Sequence, residues 1–194
     1  MKYVLAVFYS IVALVAVLAA AGAVYDWWQR PPPAGFAGRL GPVVMTHPPR
    51  TVPELRFADA EGRAVTLADF RGRLVVLNLW ATWCAPCVEE LPTLDRLQAR
   101  LGGPQFAVVA LSLDRDGLAA VAPFLEQHGI KRLTIYLDPA NAASHALTLR
   151  GLPTTLVVGP DGNEIGRLEG AAAWDAPAAE AFLRSYFAKP PRAG

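Results

Sequence analysis

Cysteine is scarce in this chain, and its few cysteines and histidines exclude several kinds of site. The 194 residues include two cysteines, Cys84 and Cys87, too few for the disulfide framework of a small secreted domain. A structural zinc site needs four ligands, and the three histidines, His47, His128 and His145, lack the spacing that would complete one around the cysteine pair. No cysteine lies near the amino terminus, so we expect no lipid attachment there.

Neither sign of charge dominates the chain. Lysine and arginine number 18 against 17 for aspartate and glutamate, so the composition does not indicate a nucleic acid or another polyanion as a partner. The sequence has no internal repeats. Beyond an apolar amino-terminal segment about 150 residues remain, which is enough for one domain with its own hydrophobic core.

The amino-terminal segment, residues 3–25, contains no charged residue. Because ~20 apolar residues span a bilayer, and because Trp27 and Trp28 suit the membrane–water boundary, residues 1–25 are predicted to be an uncleaved membrane anchor. The alternative is a cleaved signal peptide with its apolar region over residues 4–18 and a small-residue cleavage site at residues 19–23. Both interpretations carry the rest of the chain out of the cytoplasm.

The next segment, residues 26–52, is rich in proline and glycine and shows no apolar period. This composition is typical of a semi-extended tether. We therefore predict a tether over residues 26–52, a folded domain over residues 53–188 and a short tail over residues 189–194.

The folded domain alternates strand and helix patterns. In order these are a β-hairpin over residues 54–67, a buried strand over 73–80, a helix that ends at Gly102, a buried strand over 105–113, a helix over 118–128, a short strand over 133–137, a short helix over 142–149, a hairpin over 154–170 and a final helix capped by Asp175. This order predicts an α/β fold with a mixed central sheet and helices on both faces.

The two cysteines fall at the carboxyl end of the buried strand, where the next helix begins. Open α/β sheets place their sites there, and the positive end of the helix dipole favours a thiolate. Pro86 suits the first turn of the helix, where no N–H bond is lost. With Cys84 at the helix cap, its sulfur should be more exposed than that of Cys87, which should face the protein interior.

Three kinds of chemistry remain open for the pair. A structural disulfide closing so short a loop would contribute only about 2 kcal/mol, in a region that the helix already holds together. Two thiolates could bind Cu(I) weakly. The position and spacing favour a redox centre.

Three stretches of the sequence resemble those of a known family. The stretch "WATWCAPCVEELP", preceded by "LVVLN" and followed about 65 residues later by "GLPTT", resembles the thioredoxin superfamily. It is most similar to the membrane-anchored, extracytoplasmic thiol-disulfide reductases of the TlpA and cytochrome c maturation type. The resemblance covers residues 52–187 and implies a thioredoxin fold with an N-terminal β-hairpin and a helical insertion at about residues 118–149. It also implies a single-pass protein of the inner membrane, with the domain in the periplasm or its equivalent.

By this resemblance, Cys84 is the nucleophile that forms the mixed disulfide and Cys87 is the thiol that resolves it. Pro153 takes the place of the family's cis-proline, which turns the backbone of Leu152 toward the cysteines, where an extended substrate can pair with it. Three residues around the pair complete the expected substrate-contacting set: Trp83, Ala85 and Pro86.

The chain departs from cytosolic thioredoxin at Asn78, where the buried aspartate of that protein stands. The replacement candidate is Glu90, which lies three residues beyond Cys87 on the same helix face and matches the acid of the TlpA-type "C-x-x-E" pattern. We therefore expect Glu90 to set the ionisation of the cysteine pair. The neighbouring Glu89 is expected to be a solvated surface charge.

The resulting prediction is a protein disulfide reductase that needs no metal and no cofactor. Its expected clients are disulfide-containing proteins such as apocytochrome c or copper-site assembly proteins, and its expected electron donor is a thiol-reducing membrane protein. We expect a monomer that binds no nucleic acid. The alternatives are a thiol oxidase or isomerase and a Cu(I)-binding chaperone for a respiratory oxidase. Ala85-Pro86 lacks the histidine that would favour a strongly oxidising thiolate, so reduction is favoured.

Overall fold

A computed structural model describes residues 43–187, together with Ala16 and Gly22. The chain divides into two units, Met1–Pro33 and Ala34–Gly194, and the architecture below is that of the second. No helix among the described residues is both long and apolar enough to cross a membrane. Apart from Ala16 and Gly22, the predicted anchor, most of the predicted tether and the predicted tail lie outside the described residues.

The described residues of the second unit form one mixed sheet with helices on both faces. The strands are β1 (Val44–Thr51), β2 (Arg56–Asp59), β3 (Ala64–Thr66), β4 (Leu74–Trp80), β5 (Phe106–Ser112), β6 (Tyr136–Leu137), β7 (Thr154–Val158) and β8 (Asn163–Glu169). The helices are a 3₁₀ helix (Leu67–Phe70), α1 (Ala85–Leu101), α2 (Leu118–Gln127), α3 (Ala142–Ala146) and α4 (Pro177–Phe187). The strand order is β1-β8-β7-β4-β5-β6-β2-β3.

The centre of the sheet confirms the predicted α/β fold. Strand β4 runs parallel to β5 and antiparallel to β7, and every residue of these three strands is buried. Strands covered on both faces can be apolar along their whole length, which explains the continuous apolar runs of the sequence. One face packs against α1, α2 and α4, and the other against α3 and the 3₁₀ helix.

Helix α1 is held to the sheet by an apolar stripe at helical spacing. Its buried residues are Cys87, Glu90, Leu91, Leu94, Leu97 and Leu101. Each fully buried leucine stabilises the fold by ~2 kcal/mol, because its apolar surface is removed from water. The stripe therefore fixes the helix that begins at the cysteine pair.

The region between β5 and β7 differs from a purely helical insertion. It contains α2 and α3, and also β6, which confirms the short strand predicted over residues 133–137 and pairs with β5 on one side and with β2 on the other. Through β6 the N-terminal hairpin of β2 and β3 joins the central sheet.

The prediction of a tether as far as residue 52 is wrong at its carboxyl end. Val44–Thr51 form β1, which pairs with β8 at the edge of the sheet. Pro48 and Pro49 argue against a central strand, since proline has no N–H to donate, but an edge strand tolerates them. The pairing register of β1 also shifts between Met45 and Arg50, so the prolines fall where the ladder is interrupted.

The final helix begins two residues later than its predicted cap. Helix α4 starts at Pro177, a favoured first residue because the missing N–H costs nothing there. Asp175 does not cap it. The carboxylate instead accepts a hydrogen bond of 2.7 Å from Nε of Arg96 on α1.

Helix α3 is shorter than predicted because it ends in a Schellman motif. The N–H of Leu149 bonds to the carbonyl of Ser144 and the N–H of Thr148 to that of His145, which is the bond pair that defines this motif. The residue that must turn left-handed is Thr148, with φ of 52°. Glycine is usual at that position, because a β-branched residue is strained there.

Replacing Thr148 by glycine should therefore stabilise the domain. Relief of the left-handed strain outweighs the extra chain entropy of glycine, which gives a net gain of roughly 0.5–1 kcal/mol in the free energy of unfolding. Chemical denaturation of the oxidised protein measures this gain. Thr148→Ala is the control and should change little, because alanine keeps the strained conformation. A loss of stability in Thr148→Gly would show that the threonine side chain makes a stabilising contact.

Candidate active site

The cysteine pair lies where the sequence places it, at the start of α1. Cys84 is the N-cap residue, with extended backbone angles, and Pro86 lies in the first turn. Cys84 and Cys87 form a disulfide with their Cα atoms 5.2 Å apart. Cys84 is 7% exposed and Cys87 is 1% exposed. Both are largely buried, but the small part that solvent or a client can reach belongs to Cys84, as expected.

The turn that precedes the pair is fixed by an aspartate that the sequence analysis missed. Asp114 follows β5, and its carboxylate accepts hydrogen bonds from the backbone N–H of Thr82 at 3.0 Å and from its hydroxyl at 2.6 Å. The hydroxyl of Ser112 donates to the same carboxylate at 2.8 Å. An acidic residue directly after a buried strand, at the edge where sites form, was the available signal.

The segment that contains Leu152 and Pro153, here called the proline segment, lies beside this turn. Thr154, the first residue of β7, pairs with Leu79 near the end of β4. Pro153 therefore lies next to the start of the turn that leads from β4 to Cys84. The peptide bond between Leu152 and Pro153 is cis. Within residues 43–187, neither the N–H nor the C=O of Leu152 takes part in a backbone hydrogen bond. These groups are therefore open to an extended client segment.

The predicted substrate-contacting residues surround the open side of the disulfide. The side chain of Trp83 is unusually exposed for a large aromatic residue, at 72%, and Ala85 is also exposed. Trp83 and Leu152 line one groove of about 370 Å³. The structure thus brings the tryptophan and the proline segment together on the side of Cys84.

Glu90 lies inside the apolar core, one turn after Cys87 on the buried stripe of α1. It is 1% exposed, whereas Glu89 is exposed as predicted. The amide of Asn78 donates to one carboxyl oxygen of Glu90 at 2.9 Å, and the other oxygen accepts from the backbone N–H of Ala172 at 2.9 Å and from the indole N–H of Trp174 at 2.6 Å. None of these donors carries a charge.

The surroundings raise the pKa of Glu90 from its ordinary value of 4.5 to about 7. Burial is the main cause, since it disfavours the ionised form, and the three hydrogen bonds offset part of the effect. A carboxyl group with a pKa near 7 can accept or release a proton at neutral pH.

The side-chain amide of Asn78 can form a hydrogen bond with Glu90 in either protonation state of that carboxyl group. Its Nδ2 donates to Glu90 and, at 2.8 Å, to the hydroxyl of Thr155. Its Oδ1 is buried without a hydrogen-bond partner among the described residues. A half-turn of the amide would present Oδ1 to a protonated Glu90, which then becomes a donor. An aspartate at residue 78 could accept but never donate when ionised.

The described part of the chain offers little to a metal ion. No group of three or more His, Cys, Asp or Glu side chains lies together there in a way that could hold one.

The stability of the oxidised protein should fall as pH rises, because of Glu90. Below pH 4.5 the group is protonated in both the folded and the unfolded state, but above about pH 7 the folded state holds a buried charge that the unfolded chain solvates. The cost of this ionisation approaches about 3 kcal/mol. Relative to Glu90→Gln, the unfolding free energy of the unmodified protein should therefore decrease by about that amount between pH 4.5 and pH 8.

Denaturant titrations of both disulfide-bonded proteins across this pH range measure the difference. Glu89→Gln is the matched control, because Glu89 is exposed on the same helix, and its curve should run parallel to that of the unmodified protein. Parallel curves for the unmodified protein and Glu90→Gln would contradict the raised pKa of Glu90.

Comparison with known proteins identifies the family of the chain. Residues 48–163 match the AhpC/TSA family. A thiol-disulfide oxidoreductase ResA of Bacillus thuringiensis subsp. konkukian is 30% identical over 121 residues, which cover 62% of this chain and 69% of that protein. A structure from Chlorobium tepidum described as a thiol:disulfide interchange protein DsbE is 27% identical with a TM-score of 0.64, over 71% of this chain and 96% of that one. StoA of Bacillus subtilis, at 19% identity and a TM-score of 0.56, shows the fold alone.

These relatives confirm the resemblance to thioredoxin-superfamily reductases of the TlpA and cytochrome c maturation type. The family match contains Cys84, Cys87 and Pro153. The chain belongs to the AhpC/TSA family, within the thioredoxin superfamily, and is a thiol-disulfide oxidoreductase.

Proposed function

We propose that the protein reduces disulfide bonds of client proteins outside the cytoplasm. The observation that carries the proposal is the Cys84–Cys87 pair at the N-terminus of α1, beside the open backbone of Leu152. Cys84 is the more exposed of the two cysteines and directly follows Trp83 of the groove lining, whereas Cys87 is buried in the core. This is the asymmetry that an attacking thiol and a resolving thiol require.

The proposed cycle transfers two electrons. The Cys84 thiolate attacks one sulfur of a client disulfide, forms a mixed disulfide and releases one client thiolate. The Cys87 thiolate then attacks the sulfur of Cys84, which breaks the mixed disulfide and releases the second client thiolate. The protein is left with the Cys84–Cys87 disulfide, and a thiol-reducing membrane protein must return the two electrons.

The proton of Cys87 needs an acceptor before this second step. Glu90 follows Cys87 by one turn on the same buried stripe, and its pKa near 7 suits proton acceptance at neutral pH. The N-cap position stabilises the Cys84 thiolate separately, through the helix dipole and the free N–H groups of the first turn. Glu90 thus serves the resolving thiol, and the helix end serves the attacking one.

The proposed clients are apocytochrome c or copper-site assembly proteins, and the proposed location is the periplasmic face of the inner membrane. An oxidising compartment already forms disulfides, so a lone C-x-x-C pair there needs a different task. An anchor over residues 1–25 would hold a monomeric domain near a membrane electron donor, which an exported reductase needs because cytosolic thioredoxin cannot reach it. The ResA and DsbE relatives support the thiol-disulfide exchange on which this role depends.

A reductase should have a low reduction potential. We expect a value nearer that of thioredoxin, about −270 mV, than that of the oxidant DsbA, about −120 mV. The gap of about 150 mV corresponds to roughly 7 kcal/mol for two electrons, so the measurement separates the two roles. Equilibration of the full-length protein with glutathione or dithiothreitol buffers gives the value. A potential at the oxidising end would overturn the proposed direction.

A Cys87→Ser variant should trap clients as mixed disulfides on Cys84, since the resolving thiol is missing. In cells, these conjugates should be recovered in the membrane fraction and should contain exported proteins. Cys84→Ser is the control and should trap none. Conjugates through Cys87 in the control would reverse the two roles, whereas conjugates in the soluble fraction would refute the anchor and leave the thiol roles standing.

A further inference from the structure

The groove beside the disulfide has a charged side that the reaction described above does not use. Trp83 and Leu152 line it next to Cys84, and the carboxyl-terminal region of α3 with the following loop lines its other side, where His145, Leu149 and Arg150 lie. No aspartate or glutamate lines this groove. The guanidinium of Arg150 is therefore the permanently charged group in the lining of this groove.

Arg150 is free to bind a ligand. Its side chain is 84% exposed, and its nearest carboxylate, on Glu169, lies 4.0 Å away, beyond hydrogen-bond distance. An exposed ion pair of this length holds a guanidinium weakly. Within residues 43–187 the contact recorded for the guanidinium of Arg150 is this one at 4.0 Å, so its fork of N–H groups can bind a carboxylate bidentately.

The groove also presents backbone hydrogen-bonding groups and an aromatic surface to a peptide that binds there. The N–H and C=O of Leu152 lack backbone partners among the described residues, and the exposed side chain of Trp83 also lines the groove. An extended peptide can bond to the first and pack on the second. A side chain of that peptide then lies along the wall that carries Arg150.

We propose that Arg150 selects client segments in which an acidic side chain lies close to the reacting cysteine. The inference rests on the proposed function, because the ligand is the peptide whose disulfide Cys84 attacks. Charge complementarity identifies the occupant as an extended acidic segment of a client, since the groove has a cationic lining residue and no acidic one.

Peptides with a single reacting sulfur test this selection. Each peptide carries one cysteine in a mixed disulfide with thionitrobenzoate, flanked on both sides by glutamate, glutamine or lysine. The reduced full-length protein attacks the peptide sulfur, forms the Cys84–peptide disulfide and releases the coloured thiolate, and Cys87 then releases the peptide as a thiol. The second-order rate constant for colour release is the measured quantity.

At low ionic strength the glutamate peptide should react about fivefold faster than the lysine peptide, as expected for one exposed ion pair. Arg150→Glu should invert this ratio, and a circular dichroism spectrum that matches that of the unmodified protein shows that the variant is folded. Glu169→Gln should increase the ratio, because it removes the competing carboxylate.

Arg56→Glu is the matched control. Arg56 is an equally exposed arginine on β2, outside the groove lining, so its reversal changes the net charge by the same amount and should leave the ratio unaltered. An equal shift in both arginine variants would show long-range attraction rather than selection by Arg150, and would overturn the inference. Equal rates for all three peptides would refute the inference while the reductase function stands. Failure to react with any peptide would refute the proposed function itself.

Discussion

A carboxyl group held inside an apolar core is the constraint on which this site depends. Water cannot solvate Glu90, so the chain provides donors from two distant segments, Asn78 in β4 and the stretch after β8 that contains Ala172 and Trp174. These bonds fix the first turns of α1 against the sheet, and the cysteines are placed with them. A leucine at this position would extend the apolar stripe at no electrostatic cost, but it could not exchange a proton with Cys87.

The disulfide therefore has one rigid side and one open side. On the rigid side, Asp114 fixes the turn before Cys84 and Glu90 fixes the helix after it. On the open side, Trp83 exposes an aromatic face, and the N–H and C=O of Leu152 make no backbone hydrogen bond among the described residues. A reactive sulfur needs such a fixed support, because small displacements of the reacting atoms lower the reaction rate. A surface that binds peptides mainly through their backbone can accept several different sequences.

The sequence predicted those parts of the fold whose signal is local. The apolar run of β4 and the leucine spacing of α1 depend on neighbouring residues, and both elements are confirmed. The edge strand β1 was missed because its prolines argue against a strand, and only pairing with β8 makes it one. The partners of Glu90 could not be predicted either: Trp174 is 84 residues away in the chain, and no periodicity links the two. Thr148 shows the same limit, since its left-handed conformation follows from tertiary packing and not from its own preference.

The two prolines of β1 affect the tendency of this domain to self-associate at high concentration. An open sheet edge can pair with the edge of another copy of the same chain. At one edge β1 contains Pro48 and Pro49, neither of which has an N–H to donate, and at the opposite edge β3 is three residues long. Neither edge is a good template for a foreign strand, so self-association by strand exchange is discouraged at both ends of the sheet. The domain can then leave the N–H and C=O of Leu152 without backbone partners while its sheet edges resist aggregation.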